Sequence, residues 1–583
     1  MTRAYRDSEA VDFLIVGSGA AGGVLARELS RAGFAVIVME QGARLRPQDF
    51  EHDELKYWLA NGITNDPNVS PQTYRKTAAD VAKKSEPGGI NPLWYARTVG
   101  GSSVHFTANF WRFHPVDFTE RSVLGGIAGT SFEDWPVTYE ELEPYYAKVD
   151  WEIGVSGLAG AHPNEPHRSK PYPMPPMPVK SSGVLFERGA RKLGLNPFPA
   201  PLAIASVPYR GRAACIHCGF CMGFGCEVRA KSSTLFTMIP EAEASGRCEV
   251  RTGSYVFRVA TNARAQVSGV HYFDADKRDR FQAAKAVVLC ANGAETPRLL
   301  LMSANTHFPQ GLANSSGLVG KNLMFNQGAS AFGVFEHELN EYKSVQATRL
   351  VHDFYDADPK RGFYGGGGID ARIGPNPIIW SLTGPQGVSW GKSYKDHLRS
   401  FPCTMLAAGH TTSLPLESNS VTLDPEVKDA WGMPVIRCTH KEHPDDMKFA
   451  AWLQERAVEI LDAAGAQKIW REPVAEFDVS VHLLGTCRMG NDPKSSVVDR
   501  FHRAHDVPNL FICDGSSFVT SGRGQPTMTI QALAFRALGG RFVQIYRHAQ
   551  FLPDTFGGLA RQPGAVFESG MGERHERNHI GRA

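Results

Sequence analysis

Near its N-terminus the chain carries a glycine-rich turn between an apolar strand and a helix, and this unit constrains the fold most. The apolar run 13–16 is typical of a buried parallel strand, and it leads into a G-x-G-x-x-G at 17–22. A helical pattern follows as far as Gly33, and a second apolar strand, 35–39, ends at Glu40. Strand, turn, helix, strand and acid in this register predict a Rossmann-like unit that binds a dinucleotide.

Each glycine of the turn has a separate physical task. Gly17 permits the tight turn, Gly19 lets the backbone approach a pyrophosphate, and Gly22 lets the helix pack against the strand. The diphosphate is expected at the helix N-terminus, where free N–H groups and the helix dipole favour negative charge. Glu40 lies 18 residues beyond Gly22 and is placed to accept hydrogen bonds from a ribose. The alternative is a tight turn whose small residues serve packing only.

Charge and hydropathy exclude several classes of function. The 62 Lys and Arg residues nearly balance the 60 Asp and Glu residues, and the formal net charge is only +2. No global field therefore holds nucleic acid or an anionic membrane surface. No run approaches the ~20 apolar residues of a membrane span, and no secretory signal is visible. A cytoplasmic location is the default expectation, and a periplasmic one follows if a signal-bearing partner co-exports the chain.

Four of the ten cysteines fall within twelve residues and form a C-x₂-C-x₂-C-x₄-C pattern. They are Cys215, Cys218, Cys221 and Cys226. Iron–sulfur clusters favour a C-x₂-C-x₂-C run, whereas structural zinc normally divides two C-x₂-C pairs across a longer loop. The spacing favours an iron–sulfur cluster, with zinc or free or paired cysteines as open alternatives.

Segments far from the N-terminal unit resemble one known family. Residues 96–103 resemble the first signature of the glucose–methanol–choline (GMC) oxidoreductases, which are FAD enzymes acting on alcohols and sugars. Residues 482–490 resemble the segment that carries the family's catalytic histidine, and 509–516 resemble the strand and acid beside the flavin. Residues 113–118 and the cysteine cluster resemble more narrowly the flavoprotein subunits of gluconate and fructose dehydrogenases.

The resemblance implies a set of residues that hold FAD. They are Gly17, Gly19, Gly22, Glu40, Gly100, Gly101, Ser102, Ser103, His105, Asp514, Gly515, Pro526 and Thr527. His482 matches the family's catalytic histidine. The sequence departs from the family at the second catalytic position, where His or Asn is usual and Gln525 stands here.

Removal of a hydride from an alcohol carbon is easier once the hydroxyl proton is leaving, so the protein must supply a base. His482 is the candidate base because an imidazole titrates near neutrality. Gln525 cannot accept a proton, but its amide can hold the substrate oxygen. The simpler alternatives are a packing role for His482 and a position near a helix N-terminus, without chemical importance, for Gln525. A helix from Thr527 to about Ile545 is expected to point its N-terminus at the flavin.

The expected architecture is α/β, with α+β character overall: a discontinuous Rossmann-like FAD-binding domain and an antiparallel-sheet substrate domain. The FAD-binding domain is predicted to comprise 1–125, 210–330 and 475–553, and the substrate-binding domain 126–209 and 331–474. Residues 554–583 are expected to form a flexible tail. Trp380, Trp390 and Tyr364 are considered as sugar platforms, although core packing is favoured for each.

These features together predict an FAD-dependent dehydrogenase that oxidises a hydroxyl of a sugar, sugar acid or polyol. Electrons are expected to leave through the cysteine cluster to a cytochrome, a small partner subunit or a quinone. Two alternatives remain: a GMC-type oxidase that uses O₂, and a flavin-binding electron-transfer subunit without its own alcohol site. A nicotinamide enzyme is the weakest alternative.

Overall fold

The computed structural model describes residues 3–326, 328–372, 376–382, 384–385, 387–474 and 480–538. The predicted tail, 554–583, and the end of the helix expected to reach Ile545 lie outside these residues. Within them, no helix is both long enough and apolar enough to cross a membrane.

The strands build three sheets. In chain order they are β1 (Val11–Val16), β2 (Val36–Met39), β3 (Thr73–Arg75), β4 (Lys83–Lys84), β5 (Phe198–Pro199), β6 (Cys248–Arg251), β7 (Tyr255–Thr261), β8 (Val267–Phe273), β9 (Asp279–Leu289), β10 (Gly328–Val334), β11 (Ala347–Val351), β12 (Gly367–Arg372), β13 (Thr404–Thr411), β14 (Ser420–Lys428), β15 (Pro434–Thr439), β16 (Lys468–Arg471) and β17 (Leu510–Ile512).

The first sheet has a parallel core in the order β6-β2-β1-β9-β17. The side chains of β1 and β2 are almost entirely buried, as expected for parallel strands covered on both faces. β9 is longer than its partners, and its first half continues into an antiparallel meander with β8 and β7. The carboxyl ends of β1, β2, β9 and β17 therefore meet at one edge, where open α/β sheets bind their ligands.

The second sheet is antiparallel, in the order β16-β10-β13-β12-β11-β5. This confirms the antiparallel sheet expected within 330–475, with one short strand added from 198–199. A third sheet, β14-β15-β3-β4, joins residues near 73–84 to residues near 420–439.

The helices cover the sheets. They are α1 (Ala20–Arg31), α2 (Pro115–Leu124), α3 (Tyr139–Val149), α4 (Ser181–Lys192), α5 (Met238–Ala244), α6 (Asn292–Met302), α7 (Pro377–Leu382), α8 (Gly391–Arg399), α9 (Pro444–Ala464) and α10 (Thr527–Leu538). The helix after the glycine turn and the helix from Asp445 to Ala464 are confirmed as α1 and α9. α9 packs on β10 and β13 and closes the core of the second sheet.

α3 lies within the segment expected to belong to the substrate domain, yet it packs on α10. The Tyr146 hydroxyl on α3 is 2.7 Å from the Thr529 hydroxyl on α10. These contacts join the α3 segment to the predicted FAD-binding domain. The domain boundaries stay a prediction.

Candidate active site

The glycine turn after β1 is shaped by backbone contacts that exclude side chains. Gly17 has φ +96°, and a Cβ atom there would lie 2.4 Å from the carbonyl oxygen of Cys290. A Cβ atom on Gly22 would lie 2.0 Å from the Gly17 carbonyl oxygen. Gly101, at φ +53°, packs its Cα side against Gly19, where a Cβ atom would approach to 2.8 Å. The turn and the 100–103 loop are therefore in direct contact.

Glu40 joins these two loops from the end of β2. Its buried carboxylate accepts hydrogen bonds from the Ser18 amide at 3.1 Å, the Ser18 hydroxyl at 2.7 Å and the Gly42 amide at 2.9 Å. The Ser18 hydroxyl in turn accepts a hydrogen bond from the Gly100 amide at 3.0 Å. Burial raises the pKa of Glu40, and these hydrogen bonds oppose the rise.

A cavity of about 600 Å³ extends from this turn to the second sheet, within the size range of cofactor sites. Most of the residues predicted from the sequence line it. They are Gly17, Gly19, Glu40, Gly101, Ser102, Ser103, His105, His482, Asp514, Gly515, Gln525, Pro526 and Thr527. Gly22 and Gly100 do not line the cavity; they shape the two loops behind it.

The cavity has the features that a dinucleotide needs. The N-terminal turn of α1 has no side-chain cap, so its N–H groups are open to a phosphate. His105 Nε2 and Trp94 Nε1 are buried, line the cavity and have no hydrogen-bond partner among the described residues. A buried polar atom without a partner is costly, so a ligand that meets these atoms is favoured. The residues present therefore fit FAD.

Asp514, directly after β17, organises the middle of the cavity wall. Its carboxylate accepts hydrogen bonds from the Ser516 amide at 2.8 Å, the Asn292 amide at 3.0 Å and the Thr296 hydroxyl at 2.6 Å. Burial raises its pKa, and the hydrogen bonds oppose this rise. Asp514 thus ties the N-terminus of α6 to the loop before α10.

His482 lines the cavity beside the second sheet, and its ring is oriented by Asn326, which contacts Thr411 of β13. Nδ1 is 2.9 Å from Asn326 Oδ1. The Asn326 amide nitrogen donates to the carbonyl oxygens of Thr411, at 2.8 Å, and Gly522, at 3.1 Å. Because both carbonyls can only accept, the amide oxygen must face the ring, and Nδ1 must carry the proton. Nε2 of His482 is therefore left as the unprotonated nitrogen.

The surroundings of His482 favour the neutral ring. Burial, followed by the electrostatic effects of His410 and Arg372, lowers the pKa of His482 to about 3. A neutral imidazole with one free lone pair is the form that a general base requires.

One face of the second sheet forms the opposite wall, and its polar residues were not predicted from the sequence. In the register of β12 and β13, Asp370 faces Ala408, and His410 lies diagonally beside it on the same face. His410 Nε2 is 2.7 Å from Asp370 Oδ2, and Arg372 Nε donates to Asp370 Oδ1 at 2.6 Å. Arg372 and His410 line the cavity, whereas Asp370 is fully buried behind them.

Gln525 precedes α10 and lies beside His410. Its amide nitrogen is 3.4 Å from His410 Nδ1. The structure thus brings Gln525, His410 and His482 into one cavity. Of the aromatic residues considered as sugar platforms, Trp380 and Tyr364 are buried in the core and Trp390 is exposed; none lines this cavity.

The four clustered cysteines surround a small pocket next to the large cavity. Cys215, Cys218, Cys221 and Cys226 line it together with Lys231. All ten cysteines are free thiols, so the paired alternative is wrong for this structure. Burial raises the pKa of Cys215 to about 11 and that of Cys221 to about 12.

The sulfur positions bear on the metal alternatives. Among the described residues, one trio of candidate ligands has its ligand atoms within 4.8 Å of one another, and it is His52, Cys218 and Glu227. The four sulfurs are therefore not gathered around a single ion as tetrahedral zinc requires. An iron–sulfur cluster, whose ligands surround several irons, stays a prediction, and the comparisons with known proteins give it no support.

The cavity lies between the carboxyl edge of a parallel sheet and an antiparallel sheet, and His482 lines it. This arrangement is typical of an oxidoreductase that binds a flavin dinucleotide. Sequence models described as GMC oxidoreductase match residues 11–326 and 415–534. The chain belongs to the GMC oxidoreductase family.

Relatives with named activities cover nearly the whole chain. The chain is 35% identical over 540 residues to the 2-methyl-1,2-propanediol dehydrogenase of Mycolicibacterium austroafricanum, covering 91% of this chain and 95% of that protein. It is 31% identical to the fructose dehydrogenase large subunit of Gluconobacter japonicus, covering 90% and 96%. It is 27% identical to the gluconate 2-dehydrogenase flavoprotein of Pantoea cypripedii, covering 90% and 92%.

Solved structures share the fold at lower identity. Pyridoxine 4-oxidase from Mesorbium loti has a TM-score of 0.61 at 19% identity, covering 92% of this chain and 99% of that one. Formate oxidase from Aspergillus oryzae, studied for FAD modification, has a TM-score of 0.61 at 14% identity, covering 94% and 99%. The fold, the family and the cavity together identify an FAD-dependent oxidoreductase, and its named relatives include dehydrogenases of alcohols and sugars.

Proposed function

We propose that this protein is a dehydrogenase that oxidises a hydroxyl-bearing carbon of a neutral alcohol, polyol or sugar. The observation that carries the proposal is the orientation of His482. Asn326 occupies its Nδ1–H, so its Nε2 lone pair is free within the cavity. Nε2 takes the hydroxyl proton of the substrate, and Gln525 holds the substrate oxygen. When bound, FAD supplies the acceptor for the hydride that leaves the same carbon.

The charge of the cavity favours neutral substrates over sugar acids. Among the described lining residues, Arg372 is the one with a permanent positive charge. Its Nε and Nη2 both donate to the fully buried Asp370. Burial alone would raise the pKa of Asp370, but Arg372 and His410 outweigh it and lower that pKa. The guanidinium charge is therefore already balanced, and a substrate carboxylate would lack a free cation.

We further propose that electrons leave on the side of the cysteine loop, 215–226, and pass to a non-oxygen acceptor. Met222 and Gly223 of this loop line the large cavity, and the Gly223 amide donates to the His105 carbonyl at 2.9 Å. The loop therefore touches both the flavin cavity and the cysteine pocket. A cytochrome, a small partner subunit or a quinone is the proposed acceptor, and an iron–sulfur cluster is the hypothesis for the relay.

The test is anaerobic reduction of the purified holoprotein by a panel of 2-methyl-1,2-propanediol, fructose and gluconate. Bleaching of the flavin by a neutral alcohol supports a dehydrogenase with its own alcohol site. No bleaching by any neutral alcohol contradicts it. Rapid peroxide formation under air, equal to substrate consumed, would replace the acceptor proposal with an oxidase. Iron and acid-labile sulfide measured on the same sample test the relay hypothesis.

A further inference from the structure

Gln525 occupies the second catalytic position but has no acid–base chemistry of its own, so its effect depends on which way its amide points. A freely rotating amide presents a donor and an acceptor to the substrate in either order. The neighbouring groups of Gln525 therefore decide its function.

His410 is the group that faces Gln525. The two are 3.4 Å apart, between Gln525 Nε2 and His410 Nδ1. The backbone brings them together, because Gly524 lies so close to His410 that a Cβ atom there would be 3.1 Å from the His410 Cβ. The His410 ring also packs edge-on against Trp111, with centroids 5.0 Å apart at 88°. The ring is thus held in place from two sides.

Two groups lie within hydrogen-bond distance of His410 Nε2. Asp370 Oδ2, at 2.7 Å, belongs to an ionised carboxylate and can only accept, whereas Arg372 Nη2, at 2.6 Å, can only donate. The position of the Gln525 amide nitrogen beside Nδ1 fits the tautomer in which Nε2 carries the proton and donates it to Asp370, so that Nδ1 presents a lone pair to Gln525. Burial and Arg372 lower the pKa of His410, which keeps the ring neutral.

We propose that Asp370 and His410 are positioning residues that fix the orientation of the Gln525 amide. His410 Nδ1 accepts one N–H of Gln525, and this leaves the amide oxygen and the second N–H for the substrate. His410, from the second sheet, thus orients the side chain at position 525, where the family usually has His or Asn. This inference rests on the proposed function, since it assigns a task within the same reaction.

A double-mutant cycle tests the proposal. The variants are His410→Leu, Gln525→Ala and the pair, and the readouts are the anaerobic flavin reduction rate, substrate KM and FAD content, with 2-methyl-1,2-propanediol or fructose as reductant. Loss of one buried hydrogen bond predicts an about tenfold slower reduction in His410→Leu. In the Gln525→Ala background the same substitution should change the rate less than about twofold, because its target is gone. His410→Asn, which keeps an acceptor near the Nδ1 position, should restore most of the rate.

His352→Leu is the matched structural control. His352 also packs edge-on against Trp111, with ring centroids 5.1 Å apart at 75°, but does not line the cavity. It should retain the wild-type rate. The positioning role would be overturned if the rate losses in His410→Leu and Gln525→Ala were additive, or if His352→Leu lost as much rate as His410→Leu. In either case, flavin reduction by a neutral alcohol in the wild type would leave the proposed function intact. If His410→Leu fails to bind FAD, His410→Asn is measured alone and together with Gln525→Ala. A near-normal reduction rate in His410→Asn that is lost when Gln525→Ala is added supports the positioning role. A reduction rate in His410→Asn that does not change when Gln525→Ala is added overturns it. A wild type that no neutral alcohol reduces overturns both proposals.

Discussion

The tautomer of His482 is the property most open to a quantitative test, because a single side chain determines it. Asn326→Leu keeps a similar volume but removes the oxygen that accepts the Nδ1 proton at 2.9 Å. The ring then loses one hydrogen bond in a buried site, and the carbonyls of Thr411 and Gly522 lose the hydrogen bonds that the Asn326 amide donates, although the Gly522 carbonyl keeps its bond from the Ser521 hydroxyl at 2.9 Å. An unsatisfied buried group costs about 1–3 kcal/mol.

That cost converts to a rate, because each 1.36 kcal/mol on the barrier is about tenfold. If the whole cost falls on the step in which His482 takes the proton, flavin reduction slows by about 5- to 150-fold. Stopped-flow reduction under argon at saturating substrate measures this rate, and the flavin absorbance of the unreacted protein measures FAD content. FAD content should stay normal, since Asn326 contacts the Thr411 carbonyl of the second sheet, whereas Glu40 follows β2 of the first sheet.

Asn322→Leu is the matched control. Asn322 lies four residues earlier, is also buried and does not line the cavity. Its substitution should leave the reduction rate of folded protein unchanged. Reduction of Asn326→Leu at the wild-type rate would refute the reasoning, as would an equal loss in the two variants.

Four further predictions concern activity against pH, stability against pH, the buried charges and substrate charge. Because the pKa of His482 is lowered, its base form persists on acidification, so the acid limb of the kcat/KM profile should lie below pH 6.5; a limb at or above 6.5 contradicts this. Burial lowers the pKa values of three histidines, His105, His352 and His440, to about 3. Between about pH 6.5 and 4 only the unfolded chain binds their protons, so the free energy of unfolding measured in urea should fall as the pH drops through this range. Arg523→Met leaves the buried carboxylates of Asp117 and Glu120 unpaired and should cost about 3–5 kcal/mol, whereas Arg471→Met, in an exposed pair with Glu455, should cost less than about 1 kcal/mol. Fructose or 2-methyl-1,2-propanediol should exceed gluconate in kcat/KM by at least about 100-fold, and comparable values would show that Arg372 is available to a carboxylate.

The cofactor half of the site could be predicted because its signals are local in sequence. A glycine turn, the helix after it and an acid at the end of the next strand lie within about thirty residues, and each has a fixed geometric task. His482 was found by resemblance to a family segment. The structure brings these residues to one cavity as the carboxyl ends of the parallel strands require.

The substrate half could not be predicted in the same way. Asn326 meets His482 across 156 residues, and His410 meets Gln525 across 115. The approach of Asp370 to His410 likewise depends on the register of β12 against β13, and no short motif encodes that register. The sequence signal for His410 was one histidine among twenty.

The central claim is that an imidazole from residue 482 removes the proton of a neutral alcohol while the bound flavin is reduced. The most direct measurement is single-turnover flavin bleaching by 2-methyl-1,2-propanediol or fructose in oxygen-free buffer, compared between the wild type and His482→Ala at equal flavin content. We expect the wild type to bleach and the variant to be about 10²–10⁴-fold slower. Equal rates in the two proteins would contradict the account.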